Sequence, residues 1–375
     1  MTTSLPTSPG VWPLPVPTLP HAQRPQLAKR RWATLRRWGK LSCDLGLDLG
    51  TSNTRIYVPE QGIVVQEPSV VAIDIETRKP IAYGAEALQL VGRAPSHIAV
   101  RHPIRTGNIA DLELTEQMLR HWMALARDGL RLFRPRVVLG LPSSATGIDR
   151  EALVSIVLQA GAKQVLLIDQ PVAAALGAGL PIDTPVGHCI VDIGGGTTDV
   201  AVMSVWGTVV RESIPIAGEV FTQTIQQYIR HQYHLQIGMP TAEHLKVQLA
   251  DPESGGANVR QLDVAGLQIG ADHFSQFSVE RTELKDALAQ PLEAITAVIR
   301  RVLEQTPPEL IADICDRGIL LTGGGALLNG IEQLISQEIG ILVLRAADPL
   351  NSVALGTGYA LENLQQYDRL LTVES

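Results

Sequence analysis

The chain has 375 residues, 45% of them hydrophobic and 18% charged, which is enough for about two domains with sizeable cores. No run of 18 or more apolar residues occurs, so a spanning helix is not expected. The net charge of −7 is uneven: residues 1–43 hold seven Lys or Arg and no acid, leaving 24 basic against 38 acidic side chains, or −14, for the rest. An acidic body with a basic N-terminal arm argues against a generally basic nucleic-acid-coating protein.

Residues 1–26 form a proline-rich arm, with seven prolines in the first 25 positions. Proline fixes φ and removes a donor, so this stretch is expected to be disordered or polyproline-like. The prolines in VWPLPVPTLP also break up what a secretory apolar core would need, and the first 23 residues carry no Lys or Arg. Residues 27–41, LAKRRWATLRRWGKL, follow a helical period. Leu27, Trp32, Leu35 and Trp38 share one half of the wheel with Ala28 and Leu41, and most of the cations occupy the other half. Such a basic amphipathic helix suits an anionic membrane interface, where each cation contributes about 1 kcal/mol. Docking on the acidic body and contact with nucleic acid are the alternatives, the last being the least favoured.

The folded part is expected from about Cys43. Three cysteines far apart, Cys43, Cys189 and Cys315, make neither a disulfide framework nor a zinc spacing, and a reducing cytoplasm is the simplest reading. CDLGLDLGTSNTRIYV reads as a β-hairpin whose turn holds Gly50, Thr51, Ser52 and Asn53, preceded by Asp48. CIVDIGGGTTDVAVM has the same plan, with Asp192 before Gly194, Gly195, Gly196, Thr197 and Thr198. The two aspartates fall at the same point of a repeat, so the chain reads as two related halves. Glycine lets backbone N–H groups approach an anion, and hydroxyls add donors to phosphate oxygens. An aspartate at the strand end can organise Mg2+ through its waters. Two facing hairpins of this kind would clamp a nucleotide's phosphates. No GxxxxGK[ST] and no strand-following GxGxxG occurs. A third site, GILLTGGGALLNGIEQLI, takes an apolar strand through Gly323, Gly324 and Gly325 into a helix.

These three elements, in this order, resemble the actin, sugar-kinase and heat-shock-chaperone superfamily, in which they form two phosphate loops and an adenosine loop. QGIVVQEPSVVAI, RHPIRTGNIADLELTEQML, LFRPRVVLGLPSSAT, VLLIDQPVAAALGAGLP, TAEHLKVQLA and EQTPPELIADICDRGILLTGGGALL look like the MreB family of bacterial actins, over about 44–365. The resemblance implies an actin-like α/β fold. Two related domains, each a mixed sheet flanked by helices, would enclose a nucleotide cleft, one domain spanning 44–188 with 349–375 and the other 189–348. It implies ATP and Mg2+ as cofactors, with Asp48 and Asp192 organising the metal. Gly218 and Glu219 match a ribose-side turn, and Glu243 and Lys246, three apart on a predicted helix, match the pair contacting ribose and adenine. Asp169-Gln170-Pro171 stands where the family reads Glu-Glu-Pro. Gln170 therefore replaces the water-orienting carboxylate; it can orient a water but cannot take its proton, so slow hydrolysis is expected. Leu132 and Phe133 match an apolar membrane-inserting loop, although a plain pre-strand apolar pair is the bland alternative.

The function implied is a filament-forming cytoskeletal ATPase. It would lie on the inner face of the cytoplasmic membrane as antiparallel double filaments and organise cell-wall elongation proteins and rod shape, without nucleic acid. A non-hydrolysing scaffold paralogue is the serious alternative. A small-molecule kinase lacks its sugar-binding constellation here. A chaperone lacks room for a peptide-binding domain after the last helix, expected at 361–370.

Overall fold

The computed structural model describes residues 44–127, 133–250, 261–270 and 273–374. The proline-rich arm, the 27–41 helix with Leu27, Trp32, Leu35 and Trp38, and Leu132 lie outside the described residues. No described helix is long and apolar enough to cross a membrane.

Two mixed sheets carry the architecture, and they share a strand order. In the first, Leu45–Leu49, Asn53–Val58 and Gly62–Pro68 form an antiparallel meander. Arg136–Leu141 and then Gln164–Asp169 extend it in parallel on the other side of Leu45–Leu49, and Thr372–Glu374 closes the edge. In the second, His188–Ile193, Thr198–Ser204 and Gly207–Ile214 form the meander, and Ile319–Thr322 and Val343–Arg345 extend it in parallel. The central strands LGLDL and HCIVDI are buried throughout, as strands covered on both faces require.

The register makes the repeat explicit. Asp48 pairs with Arg55 and Leu49 with Thr54; Asp192 pairs with Asp199 and Ile193 with Thr198. Each four-residue turn closes the same way: Gly50 N–H donates to the Asn53 carbonyl at 3.1 Å, and Gly194 N–H to the Thr197 carbonyl at 2.9 Å.

The parallel connections run through helices. Gly147–Gln159 links two strands of the first sheet. It starts on a capping box in which Asp149 accepts from Thr146 N–H at 2.9 Å and Asp149 N–H donates to the Thr146 hydroxyl at 3.3 Å. Two further helices, Gln170–Gly177 and Ser352–Glu362, lie between the sheets. They share one core with Val138 and Ile168 of the first sheet and Ile190, Ala201 and Leu320 of the second. Small residues permit this: an ideal Cβ on Gly356 would lie 1.7 Å from the Ala173 carbonyl oxygen, and one on Gly177 would lie 1.8 Å from that of Ser352. The last α-helix is thus Ser352–Glu362 rather than the expected 361–370, where only a short 3-10 turn, Asp368–Leu370, forms. The buried small residues of SVALGTGYALE hold the helix by packing, whereas the polar NLQQYDR that follows has no such face.

Each sheet carries a smaller satellite. Val71–Asp74, Pro80–Tyr83 and Ile98–Arg101 with the helix Gly84–Gln89 sit beside the first. Leu235–Gln236, Gln261–Gln268 and Phe274–Glu280 sit beside the second.

Candidate functional site

A cleft of about 360 Å³ lies where the two hairpin turns meet. It is lined by Asp48, Gly50, Thr51, Ser52, Asn53, Gln170, Asp192, Gly194, Gly195, Gly196, Thr197, Gly218, Glu243, Lys246, Gly323, Gly324 and Gly325. Thr198 and Glu219 stand behind this lining. The Thr198 hydroxyl donates to the Ile216 carbonyl at 2.6 Å, and Glu219 N–H donates to the Gly195 carbonyl at 2.8 Å. Both support the second turn from outside. Burial raises the Glu219 carboxyl above its ordinary range, against the Thr106 N–H, Arg105 and Lys246, which favour its charge. Phe133, expected in a membrane loop, is far from full burial at 45% exposure, and its carbonyl accepts from Arg127.

The turns touch across the cleft. A Cβ on Gly195 would fall 2.1 Å from the Ser52 hydroxyl, and one on Gly196 would fall 2.4 Å from the Thr51 hydroxyl. Only glycine lets the two backbones approach this closely. The loop at Thr106 and Gly107 wedges alongside, with Gly107 N–H donating to Thr51 Oγ1 at 2.9 Å.

Electrostatically the floor is lopsided. Asp48, Asp192 and Asp199 are all buried, and Arg55 is the cation among them, with its Nη1 3.5 Å from Asp48 Oδ2. Burial, then the neighbouring Asp199 and Asp48, push the Asp192 carboxyl up to about 8, with Arg55 opposing. Burial likewise raises Asp48 against the pull of Arg55, and raises Asp199 against hydrogen bonds from Thr197, Ser213 and Ser143. Asp48 and Asp192 line the cleft, with Asp199 behind them, against one guanidinium, which leaves a deficit of positive charge that suits a divalent cation such as Mg2+. Among the described residues no three His, Cys, Asp or Glu side chains converge as a self-sufficient metal site. A cation here would therefore take the rest of its shell from water and phosphate oxygens.

The walls differ from the floor. On the helix Met239–Ala250, Lys246 Nζ lies 2.7 Å from Glu243 Oε2 and donates to the Gly218 carbonyl at 2.9 Å. The Thr222 hydroxyl donates to the same Glu243 oxygen at 2.5 Å, so the pair is fixed at the cleft wall. Opposite, Ile319–Thr322 runs into Gly323, whose φ of 82° and close approach to the Ile193 carbonyl exclude a side chain. A 3-10 turn, Gly324–Leu327, intervenes before the helix Ile331–Ile339, so the expected strand–glycine–helix junction is longer than a simple βα turn. Phe221, Val247, Leu328 and Leu350 add an apolar surface fit for a planar base. Gln170 opens its helix, with Pro171 next, and its side chain packs near Gly140.

The sequence reading assigned no role to Arg55, Gly107 or Asp199. Asp199 and Arg55 were legible in principle, as the residues directly across each hairpin from the marked aspartates. Gly107 had only a local RTGN turn to announce it.

The family model described as MreB/Mbl protein matches residues 42–369. The chain belongs to the MreB/Mbl family. It is 42% identical over 334 residues to the cell shape-determining protein MreB of Escherichia coli (strain K12), covering 88% of this chain and 96% of that one. It is 41% identical over 325 residues to the cell shape-determining protein Mbl of Bacillus subtilis (strain 168), covering 86% and 97%. The crystal structure of MreB5 of Spiroplasma citri bound to ADP superposes with a TM-score of 0.82 at 35% identity, over 88% of this chain and 98% of that one. The MamK double helical filament, at 23% identity and a TM-score of 0.72 over 86% and 99%, shares the fold. The chain is therefore an actin-like protein of a cell-shape-determining, cytoskeletal family.

Proposed function

We propose that this MreB/Mbl-family chain binds ATP with Mg2+ in the cleft between its sheets, polymerises, and acts on the inner face of the cytoplasmic membrane in cell-wall elongation and rod shape. The observation that carries this reading is the meeting of two like glycine hairpins over a carboxylate-rich floor. Backbone N–H groups and hydroxyls from both sides suit the phosphates, and the solved MreB5 bound to ADP and to AMPPNP supports a nucleotide here. The units 44–188 with 349–375 and 189–348 would be the two jaws, because each holds one of the hairpins.

Within the cleft, the turn residues Gly50 to Asn53 and Gly194 to Thr197 would hold the phosphates. Thr198, Gly218 and Glu219 would brace the second turn and ribose side, Glu243 and Lys246 the ribose and adenine, and Gly323 to Gly325 the adenosine. Asp48 and Asp192 would hold Mg2+, which, when bound, neutralises phosphate charge during transfer. Gln170 would orient the attacking water by hydrogen bonding. A phosphoryl transition state that is largely dissociative needs positioning more than a base, so slow ATPase activity is expected. Binding to both jaws at once favours the closed form and gives ATP and ADP different contacts, as a polymer switch requires.

The membrane part rests on the basic amphipathic pattern of residues 27–41 and the apolar pair Leu132 and Phe133, both read from the sequence. Each is weak alone, and repetition along an antiparallel double filament supplies avidity. Gln170 in place of a carboxylate favours one second reading, a non-hydrolysing scaffold of the same family. Phosphate release with and without lipid separates the two readings. Electron microscopy with ATP and anionic liposomes, comparing the whole chain with one starting at Ser42, tests the rest. Absence of filaments in both would overturn polymerisation, and equal lipid-bound filaments in both would remove the role of the arm.

A further inference from the structure

The two hairpins share turn geometry, register and burial, yet they differ in charge at the pair that carries the marked aspartates. Across the first, Asp48 faces Arg55; across the second, Asp192 faces Asp199. Directly opposed residues of an antiparallel pair share a face. The first hairpin therefore brings Arg55 beside Asp48 to the floor of the cleft, and the second brings Asp192, with Asp199 packed behind it and no cation.

Arg55 is 7% exposed and lines the cleft. Its bonding is poor for a buried guanidinium. The one ion pair, Nη1 to Asp48 Oδ2, is 3.5 Å long, well beyond the ~2.7–2.9 Å of a good charge-assisted bond. Its Nε is buried with no hydrogen-bond partner among the described residues. A guanidinium offers five N–H donors in a planar fork. An underused fork on the floor of a cavity is a group arranged for an acceptor that enters that cavity.

We propose that Arg55 is a phosphate-binding residue: on nucleotide entry its guanidinium takes phosphoryl oxygens from the first-hairpin side, while Asp192, with Asp48, serves the metal. This rests on the nucleotide reading of the cleft and refines it. The labour is divided by sequence divergence between two related hairpins. One consequence is direct. Part of the phosphate charge is met by a fixed protein cation, so di- and triphosphate binding does not depend wholly on Mg2+. Adenosine, with no phosphate, does not sense Arg55.

The test uses the full chain and measures adenosine, ADP and ATP affinities in Mg2+ and in EDTA. The wild type is expected to keep ADP binding in EDTA within about tenfold of its Mg2+ value. Arg55→Gln is expected to lose about tenfold or more for ADP in EDTA, with adenosine unchanged, as removal of a charge-assisted bond requires. Arg55→Lys, which keeps the charge but not the fork, falls between the two. Equal ADP affinity in wild type and Arg55→Gln overturns the proposal. So does an equal loss for adenosine and ADP, which a merely structural Arg55–Asp48 pair would produce. If Arg55→Gln does not fold, the wild type decides: a loss of about a thousandfold in EDTA would mean that no protein cation meets the phosphates. Failure of the wild type to bind adenosine, ADP and ATP alike would instead overturn the nucleotide reading itself.

Discussion

Gly356→Ala sets two effects of opposite sign against each other. Alanine is the better helix former by about 1 kcal/mol, so propensity alone makes the change stabilising. The new Cβ, however, would lie 1.7 Å from the Ala173 carbonyl oxygen and 2.5 Å from its carbon. Relief requires the helices Gln170–Gly177 and Ser352–Glu362 to part by well over an ångström. Both are wedged between two sheets, with Ala173, Ala174, Ala354 and Ala360 fully buried, so neither can drift outward. Overpacking typically costs about 1–3 kcal/mol, and a backbone-to-Cβ clash belongs at the upper end. The net loss is therefore about 2 kcal/mol, or a Tm lower by about 2–4 °C for a chain of 375 residues. Thermal and urea unfolding measure it. Gly147→Ala, with nothing within 4 Å of its added Cβ, is the matched control and should be neutral or slightly stabilising. A raised Tm for Gly356→Ala would refute the close-crossing argument.

Three further outcomes are expected. Gln170→Ala should leave ADP affinity within about twofold and slow phosphate release by about tenfold or more, since only water positioning is lost; unchanged turnover would assign that task to another group. Asp192→Asn removes one of three buried carboxylates, so the ligand-free protein should melt higher while the Tm gain on adding ATP with Mg2+ shrinks. An undiminished gain would place the metal elsewhere. His188 is buried with its Nε2 unpartnered, and burial, then Arg317, hold its imidazole below the ordinary value of about 6.5, with the Pro181 carbonyl opposing. The unfolded chain then takes the proton first, so stability present above about pH 6.5 is lost as the pH falls through the folded value. The urea midpoint should drop between pH 7.5 and 5.5, and His188→Gln should flatten that drop; an equal drop in the variant would exclude His188 as its source.

The hairpins were legible because their information is local. Alternating strand residues, a glycine turn and an aspartate at a fixed offset all lie within sixteen positions, and their repetition disclosed two related halves. The same local reading marked Gly323 to Gly325 and the Glu243–Lys246 pair, which a helix holds on one face. It misplaced the last helix, because the small residues of SVALGTGYALE look like poor helix formers until another helix packs against them.

Sequence alone determined the pieces: which turns bare their backbone, which strands are buried, and which aspartates stand at strand ends. Tertiary structure decided what those pieces face. Gly195 meets Ser52, Gly196 meets Thr51 and Gly107, and Arg55 faces Asp192 on one floor. Those contacts join segments some ninety to one hundred and fifty positions apart. No local pattern fixes such pairings, because they depend on how two separately formed sheets close on the helices between them.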